Sequence, residues 1–379
     1  MGPQHHLVRR RHRFVRAQLS QSRQAHSRSH ARRRMVARQT QRRCAMSVSK
    51  LLCLLVAFTA VWPCNVGPAQ APSAQRIRVT SLPGRPLPVV AAEANGTLTK
   101  FGIEVEVSPA PNSDAMRTAL ADGSADIAHA AVDNAVALVE LNGADVIIVM
   151  GGEDSLNELL VQPEIKSIEG LRGKTLIADA VNTAYALQLK KMLLLHGLQA
   201  GPDYDLKPMG ATPQRLVAMR EHKEFAGSMM GPPTSILAKR EGFVSLGSVQ
   251  KLIGPYQSFG AFVQRRWAKE HNEALTRYLA AYIEAQRWMM APANKQSVIA
   301  LLIKESKISE DIAEETYKSL IEGTGGYAKD AAFDLDGFKN VLKLRAEVEG
   351  SWKGTPPAPG KYYDPSYYNA ALAKLQGQR

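Results

Sequence analysis

The stretch TLIADAVNTAYALQLKKMLLLHG, residues 175–197, reads as a strand, a turn and a helix in immediate succession. Thr175–Asp179 is a short apolar run of the kind that is buried on both faces of a parallel sheet. Polar residues at Asn182 and Thr183 interrupt it. From Asn182 to His196 the apolar residues Tyr185, Leu189, Met192 and Leu193 fall on one helical face, and Gly197 closes the helix.

The same alternation extends in both directions. Strands are expected at Arg76–Ser81, Ile103–Ser108, Ala125–Ala130, Val146–Met150, Asp205–Met209 and Phe225–Met230. Helical periods separate them, such as Ser113–Ala121, capped by Asn112 or Ser113 and stopped by Asp122-Gly123. Strands spaced by helices imply βαβ units and mostly parallel sheets covered on both faces. Residues 76–162 form one such block and 170–250 another, joined by the polar link Gln162-Pro163-Glu164-Ile165-Lys166. Beyond about residue 264 the pattern is helical: Ala268–Met290, Lys295–Lys304, Ser309–Glu322 and Asp334–Glu349. These helices have no sheet of their own and must pack on an earlier one. The tail from Gly350, with its tyrosine-rich run Lys361–Tyr368, is expected to dock onto a lobe. Two lobes so built leave a crevice where strand carboxyl ends converge, and ligands of open α/β sheets bind in such crevices.

Charge is concentrated at one end. The chain carries a formal net charge of +13, but residues 1–50 hold thirteen arginines and Lys50 with no acid, which is +14, and residues 51–70 are uncharged. The remainder is therefore 13 − 14 = −1. Such a balance does not describe a nucleic-acid-binding domain. After Lys50 comes the apolar run Leu51–Trp62, then a small-x-small site at Ala69-Gln70-Ala71, the layout of a secretory signal peptide. The run is too short to span a bilayer, which takes about 20 residues. The Arg-rich segment before it is open to three readings: a basic arm, a twin-arginine export signal at Arg42-Arg43, or residues upstream of a true start at Met46. Cys44, Cys53 and Cys64 all precede the expected cut, so the mature chain has neither disulfide nor thiol nucleophile, and Cys64 is a lipid-anchor alternative. A cysteine-free exported domain suits a bacterial periplasm.

Catalytic and metal motifs are missing. Gly170–Thr175 resembles a phosphate loop, yet Ile168 stands where its first glycine is needed. Ser228 is not the centre of a nucleophile elbow. His129, His196, His222 and His271 lack zinc-ligand spacing. Neither cofactor nor metal is expected. Binding chemistry remains, at the strand ends. Candidate ligand contacts are Ser81 and Leu82 after the first strand, His129 and Asn134 after the third, Asp179, Asn182 and Thr183 in the opening stretch, and Pro232 after the last strand of the second block. The junction at Asn182-Thr183 presents free N–H groups and the positive end of a helix, which suits an anion. Asn182 is equally suited to capping its own helix, and His129 to a satisfied buried site.

Several segments, taken in order, resemble the substrate-binding proteins of ABC importers in the nitrate/sulfonate/taurine and thiamine-precursor group. They are Lys100-Phe-Gly-Ile-Glu-Val-Glu-Val107, Ala119-Leu-Ala-Asp-Gly-Ser-Ala-Asp-Ile127, Leu171-Arg-Gly-Lys-Thr175 and Gly260-Ala-Phe-Val-Gln-Arg265. The resemblance implies a two-lobed, type II periplasmic-binding-protein-like α/β fold with a helical C-terminal wrap. It implies an extracytoplasmic component that binds a small anion or organic solute between the lobes and delivers it to a permease in the inner membrane. It further implies a monomer, without catalysis or nucleic-acid binding. Asn182-Thr183 departs from the Ser/Gly-rich turn of sulfonate binders. The expected division is a disordered basic extension at 1–45, a signal peptide at 46–71, one lobe from 75–163 plus 260–379, and the other from 164–259. Competing readings are a ligand-presenting sensory module and an enzyme on the same scaffold.

Overall fold

The computed structural model describes residues 74–82 and 84–377. The basic extension, the expected signal peptide and its cut lie outside the described residues. The first sheet contains β1 (Gln75–Ser81), β2 (Ile103–Pro109), β3 (Ile127–Ala131), β4 (Val146–Asp154) and β10 (Gln257–Gln264), in the order β2-β1-β3-β10-β4. The second contains β5 (Glu158–Val161), β6 (Thr175–Ala178), β7 (Asp205–Pro208), β8 (Phe225–Met230) and β9 (Val244–Ser248), in the order β7-β6-β8-β5-β9. In each sheet the first three strands are parallel. The fourth in order, β10 or β5, runs antiparallel to its neighbours.

Those two antiparallel strands are the ones that have just crossed between sheets. The chain leaves the first sheet after Asp154 and enters the second at Glu158. It leaves the second after Ser248 and returns at Gln257. The link around Pro163 follows β5, so the crossing lies a few residues earlier than the polar composition suggests. Glu158–Val161 is too short to show a period.

The helices that connect strands are α1 (Leu87–Ala94), α2 (Ser113–Ala121), α3 (Asp133–Asn142), α4 (Ala184–Leu194), α5 (Thr212–Glu221) and α6 (Thr234–Arg240). The C-terminal set is α7 (Arg265–Glu270), α8 (Asn272–Met290), α9 (Lys295–Ser306), α10 (Glu310–Tyr317), α11 (Leu335–Glu349) and α12 (Ser366–Gln376). The long helix expected at 268–290 is therefore two. Its break is His271, whose backbone leaves the helical region (φ −122°, ψ 31°) and whose ring stacks on Trp267 with centroids 5.1 Å apart. Among the described residues no helix is long and apolar enough to cross a membrane.

One face of the first sheet packs on α1, α8 and α12 through residues such as Ile77, Val79, Leu279 and Ile283. The other face belongs to a cluster that continues into the second sheet, joining Phe262 and Phe338 to Leu159, Leu176 and Leu189. Helix α11 carries that continuity, through Phe338, Val341 and Leu342. The tail closes an exposed edge. The Ile148 N–H donates to the Tyr362 carbonyl at 2.7 Å, and the Asp364 N–H to the Ile148 carbonyl at 3.1 Å. Covering an edge in this way blocks pairing with another chain.

Beside the shared core lies a fully buried ion pair. Arg345 of α11 donates from Nε and Nη2 to Asp133 Oδ1 at 3.0 and 2.7 Å, and from Nη2 to the Asn182 carbonyl at 3.2 Å. The two side chains are 2% and 0% exposed, and Asp133 Oδ2 has no hydrogen bond. Removing one partner leaves the other charge buried alone, which costs about 3–5 kcal/mol. Arg345→Ala should lose stability of that order in urea unfolding. A loss under about 1 kcal/mol would show that the pair does not hold the sheets' junction together.

Candidate ligand-binding cleft

The carboxyl ends of the two sheets face a common cavity of about 510 Å³. The first sheet contributes Ser81 and Leu82 after β1, His129 at the end of β3, Glu153 at the end of β4 and Phe259 of β10. The second contributes Tyr185 at the start of α4, Thr212 at the start of α5, and the Gly231-Pro232-Pro233 turn after β8. Tyr282 of α8 and Tyr327 complete the wall, with Leu216, Leu237, Leu302 and Leu320 supplying apolar surface. A volume of this size is typical of sites for organic molecules.

Its chemistry centres on Glu153. β4 ends Met150-Gly-Gly-Glu-Asp154, and the two glycines allow close backbone approach. A Cβ at Gly151 would lie 2.2 Å from the Ala332 carbonyl oxygen, and one at Gly260 would lie 2.5 Å from that of Met150. The pairing of β10 with β4 is irregular on both sides of the Phe259–Glu153 pair. Such bulges redirect side chains. On the other edge of β4, the Ala328 N–H donates to the Gly152 carbonyl at 2.9 Å, and Tyr327 forms an antiparallel bridge with Glu153. Residues directly opposite across antiparallel strands share a face. Glu153 thus stands in a row between Phe259 and Tyr327, and all three line the cavity.

The Glu153 carboxyl has no ion pair or hydrogen bond among the described residues. Burial, reinforced by neighbouring Asp154, pushes it from 4.5 up to about 8. Burial also raises the Tyr282 and Tyr327 phenols, with the Glu153 charge adding to both, so each remains a hydroxyl donor. The arginines that line the cavity are already engaged. Arg85 pairs with Glu93 and Glu305, and Arg220 donates to Glu241 at 2.7 Å. Behind the wall, fully buried Arg215 donates to Ser228 Oγ, Thr212 Oγ1 and the Gly210 and Met229 carbonyls, at 2.7–3.1 Å. Its face lies over the Tyr185 ring, 4.7 Å from the centroid.

The residues expected from sequence separate into two places. Ser81, Leu82, His129 and Pro232 line the cavity. The Ser81 hydroxyl is committed to its own turn, donating to the Gly84 carbonyl at 2.6 Å. His129 lies 2.8 Å from the Tyr278 hydroxyl through Nε2 and stacks on Tyr282 at 5.0 Å. Burial lowers its pKa to about 3, so it is neutral at working pH. Asn134, Asp179, Asn182 and Thr183 lie outside the cavity lining, at the junction of the sheets. Ser113 Oγ donates to Asp179 Oδ2 at 2.6 Å and Thr183 Oγ1 to Asp179 Oδ1 at 2.5 Å. Arg117 bridges Asn134 Oδ1 at 3.4 Å and Asn182 Oδ1 at 3.3 Å. The start of α4 therefore meets a carboxylate of this chain. Glu153 is the site residue that sequence reasoning passed over. Its signal was an acid pair after Gly-Gly, at the carboxyl end of an unbroken apolar strand.

Among the described residues no group of three or more His, Cys, Asp or Glu side chains is placed to hold a metal ion. What the architecture defines is a two-lobed, periplasmic-binding-protein-like fold with its cavity between the sheets. Residues 83–303 match the model of the NMT1-like family, and the chain belongs to that family. No curated protein matches it. Its fold is shared with a protein of Bordetella bronchiseptica RB50 (TM-score 0.69, 16% identity, 79% of this chain and 98% of that one). It is shared also with the periplasmic nitrate-binding protein NrtA of Synechocystis PCC 6803 (TM-score 0.66, 14% identity, 81% and 90%). A third is the alkanesulfonate-binding protein SsuA of Xanthomonas axonopodis pv. citri, bound to MOPS (TM-score 0.60, 16% identity, 76% and 96%).

The Glu153 shift has a thermodynamic consequence. An acid whose pKa is higher folded than unfolded contributes stability that is fully present below the unfolded value and is lost as pH rises through the folded one. For Glu153 the window runs from about pH 4.5 to about pH 8. Wild-type stability in urea should fall across that window by more than that of Glu153→Gln. Parallel pH profiles for the two proteins would show that the carboxyl is not shifted.

Proposed function

We propose that this chain is the extracytoplasmic solute-binding component of an ABC importer, which holds a small organic molecule between its lobes and hands it unchanged to a permease in the inner membrane. The observation that carries the reading is the cavity itself: a cleft of about 510 Å³ bordered by the carboxyl ends of two separate sheets. Family membership and the fold shared with nitrate- and sulfonate-binding proteins support it. So does the expected signal peptide, and with it a periplasmic location. A bare inorganic anion would leave most of this volume unfilled, which favours an organic solute.

Mechanism follows from where the sheets are joined. They are tied at the junction of α2, α3, α4 and α11, and open at the cavity. A ligand touching both walls binds the closed arrangement more tightly than the open one, and that difference in affinity is the driving force for closure. Closure removes water from around the ligand and strengthens each polar contact. The cavity holds a carboxyl, hydroxyls and a neutral imidazole, and the mature chain has no cysteine to serve as a thiol nucleophile. The reading is therefore one of binding without turnover.

A thermal-shift screen of sulfonates, carboxylates, amines and heterocycles tests this. A ligand at 100 times its Kd adds about 2.7 kcal/mol, so one class should raise Tm by several degrees and be recovered chemically intact. Turnover of a substrate, or no response to any class, would overturn the proposal.

A further inference from the structure

The cavity has an electrostatic deficit that the binding reading leaves open. Its lining includes two arginines and two glutamates besides small polar groups. Arg85 is spent on Glu93 and Glu305, and Arg220 on Glu241. The buried Arg215 directs its hydrogen bonds at protein acceptors. Glu153 alone among these charged groups has no partner.

Resting on the solute-binding reading above, we infer that the ligand is an organic amine with an apolar body, whose cationic nitrogen meets the Glu153 carboxylate between the rings of Phe259 and Tyr327. Three observations converge. The carboxyl occupies the centre of a row whose two neighbours are aromatic, fixed by the pairing of β10 and of residue 327 with β4. Cations are attracted to aromatic faces, so this row offers a cation one full charge and two ring quadrupoles. The remaining wall includes seven leucines and several prolines, which suit an apolar body better than a hydrated ion. A sulfonate or nitrate facing Glu153 would instead meet either a carboxylate or a neutral acid in place of a cation.

The groups around Glu153 set a proton signature. Asp154 adjoins it on β4, Tyr327 flanks it in the row, and Tyr185 and Tyr282 also line the cavity and feel its charge, with the Arg85–Glu305 pair on the wall as well. With no cation present the carboxyl is largely protonated at neutral pH. An ammonium group favours its ionised form, so amine binding at pH 7 should release close to one proton, about 0.9 for a pKa near 8. A carboxyl that serves only to shape the cavity would release none.

Benzylamine and phenethylamine, compared with benzoate and benzenesulfonate of the same bulk, form the test. Calorimetry in two buffers of different ionisation enthalpy counts the protons. The amines should bind wild type, and the matched anions at least ten-fold more weakly. Glu153→Gln should lose at least ten-fold in amine affinity and all proton release. Phe259→Leu should lose about five-fold, the size of one cation–π contact. Circular dichroism of both variants confirms their folding. If the anions bind and the amines do not, this inference fails while the solute-binding reading stands. Equal amine affinity in Glu153→Gln overturns it as well, and silence from both probe series overturns it together with the assignment of this cavity as the ligand site.

Discussion

In each sheet of this protein the fourth place is taken by the strand that follows a crossing from the other sheet. β5 crosses after Asp154 to lie fourth in the second sheet, and β10 crosses back to lie fourth in the first. A strand entering from the opposite lobe arrives running the opposite way, and both are antiparallel to their neighbours. The chain passes between the sheets twice, so the lobes are joined by two covalent connections as well as by side-chain packing. The crossing residues Leu156 and Asn157 lie on the cavity wall, as does Phe259 near the start of the return strand. The connection that makes one molecule of two sheets therefore also lines the space between them.

Opposite the cavity, the lobes are fastened by apolar and polar means together. The cluster that runs through Phe338 and Leu342 of α11 into Leu159 and Leu176 is one continuous body of buried side chains. Arg345 spans from Asp133 to the Asn182 carbonyl, and Lys190 and Lys191 of α4 pair with Glu349 and Glu347 of α11 at 2.6 Å. Burial pushes the Asp133 carboxyl up, Arg345 pulling it back. Such a pair is costly to break and adds little over an apolar contact of the same shape, so its value lies in orientation. It fixes how the start of α4 meets α3.

How much of this could be read beforehand follows from which features are local. The β6–α4 stretch was legible because its period changes within a few residues, and the observed elements, Thr175–Ala178 and Ala184–Leu194, match that change. What Asn182 and Thr183 face was not legible. Arg117 and Arg345 arrive from 65 and 163 residues away, and together with Ser113 and Asp179 they turn an apparent anion site into an internal junction. β5 was missed because four residues carry no period. Helix α7 was merged with α8 because no glycine or proline marks His271. The place of Ser81, Leu82, His129 and Pro232 at the cavity follows from their position at strand ends, which topology alone dictates.

Glu153 and Asp133 make a useful contrast. Both are carboxyls of the first sheet or its connections, and burial raises both. Asp133 lies at the junction and is given an arginine. Glu153 lies at the cavity and is given none, although Arg85 stands on the same wall, drawn aside by Glu93 and Glu305. A chain able to supply a counter-charge at one site and not the other has an acid whose ionisation depends on what enters the cleft. Two aromatic neighbours held in register beside it suit a cation, since a ring face attracts positive charge. They extend the preference for a cation from a single contact to the surface around it. Glu153, which weakens the empty cleft as pH rises, is therefore also the group inferred to select its occupant.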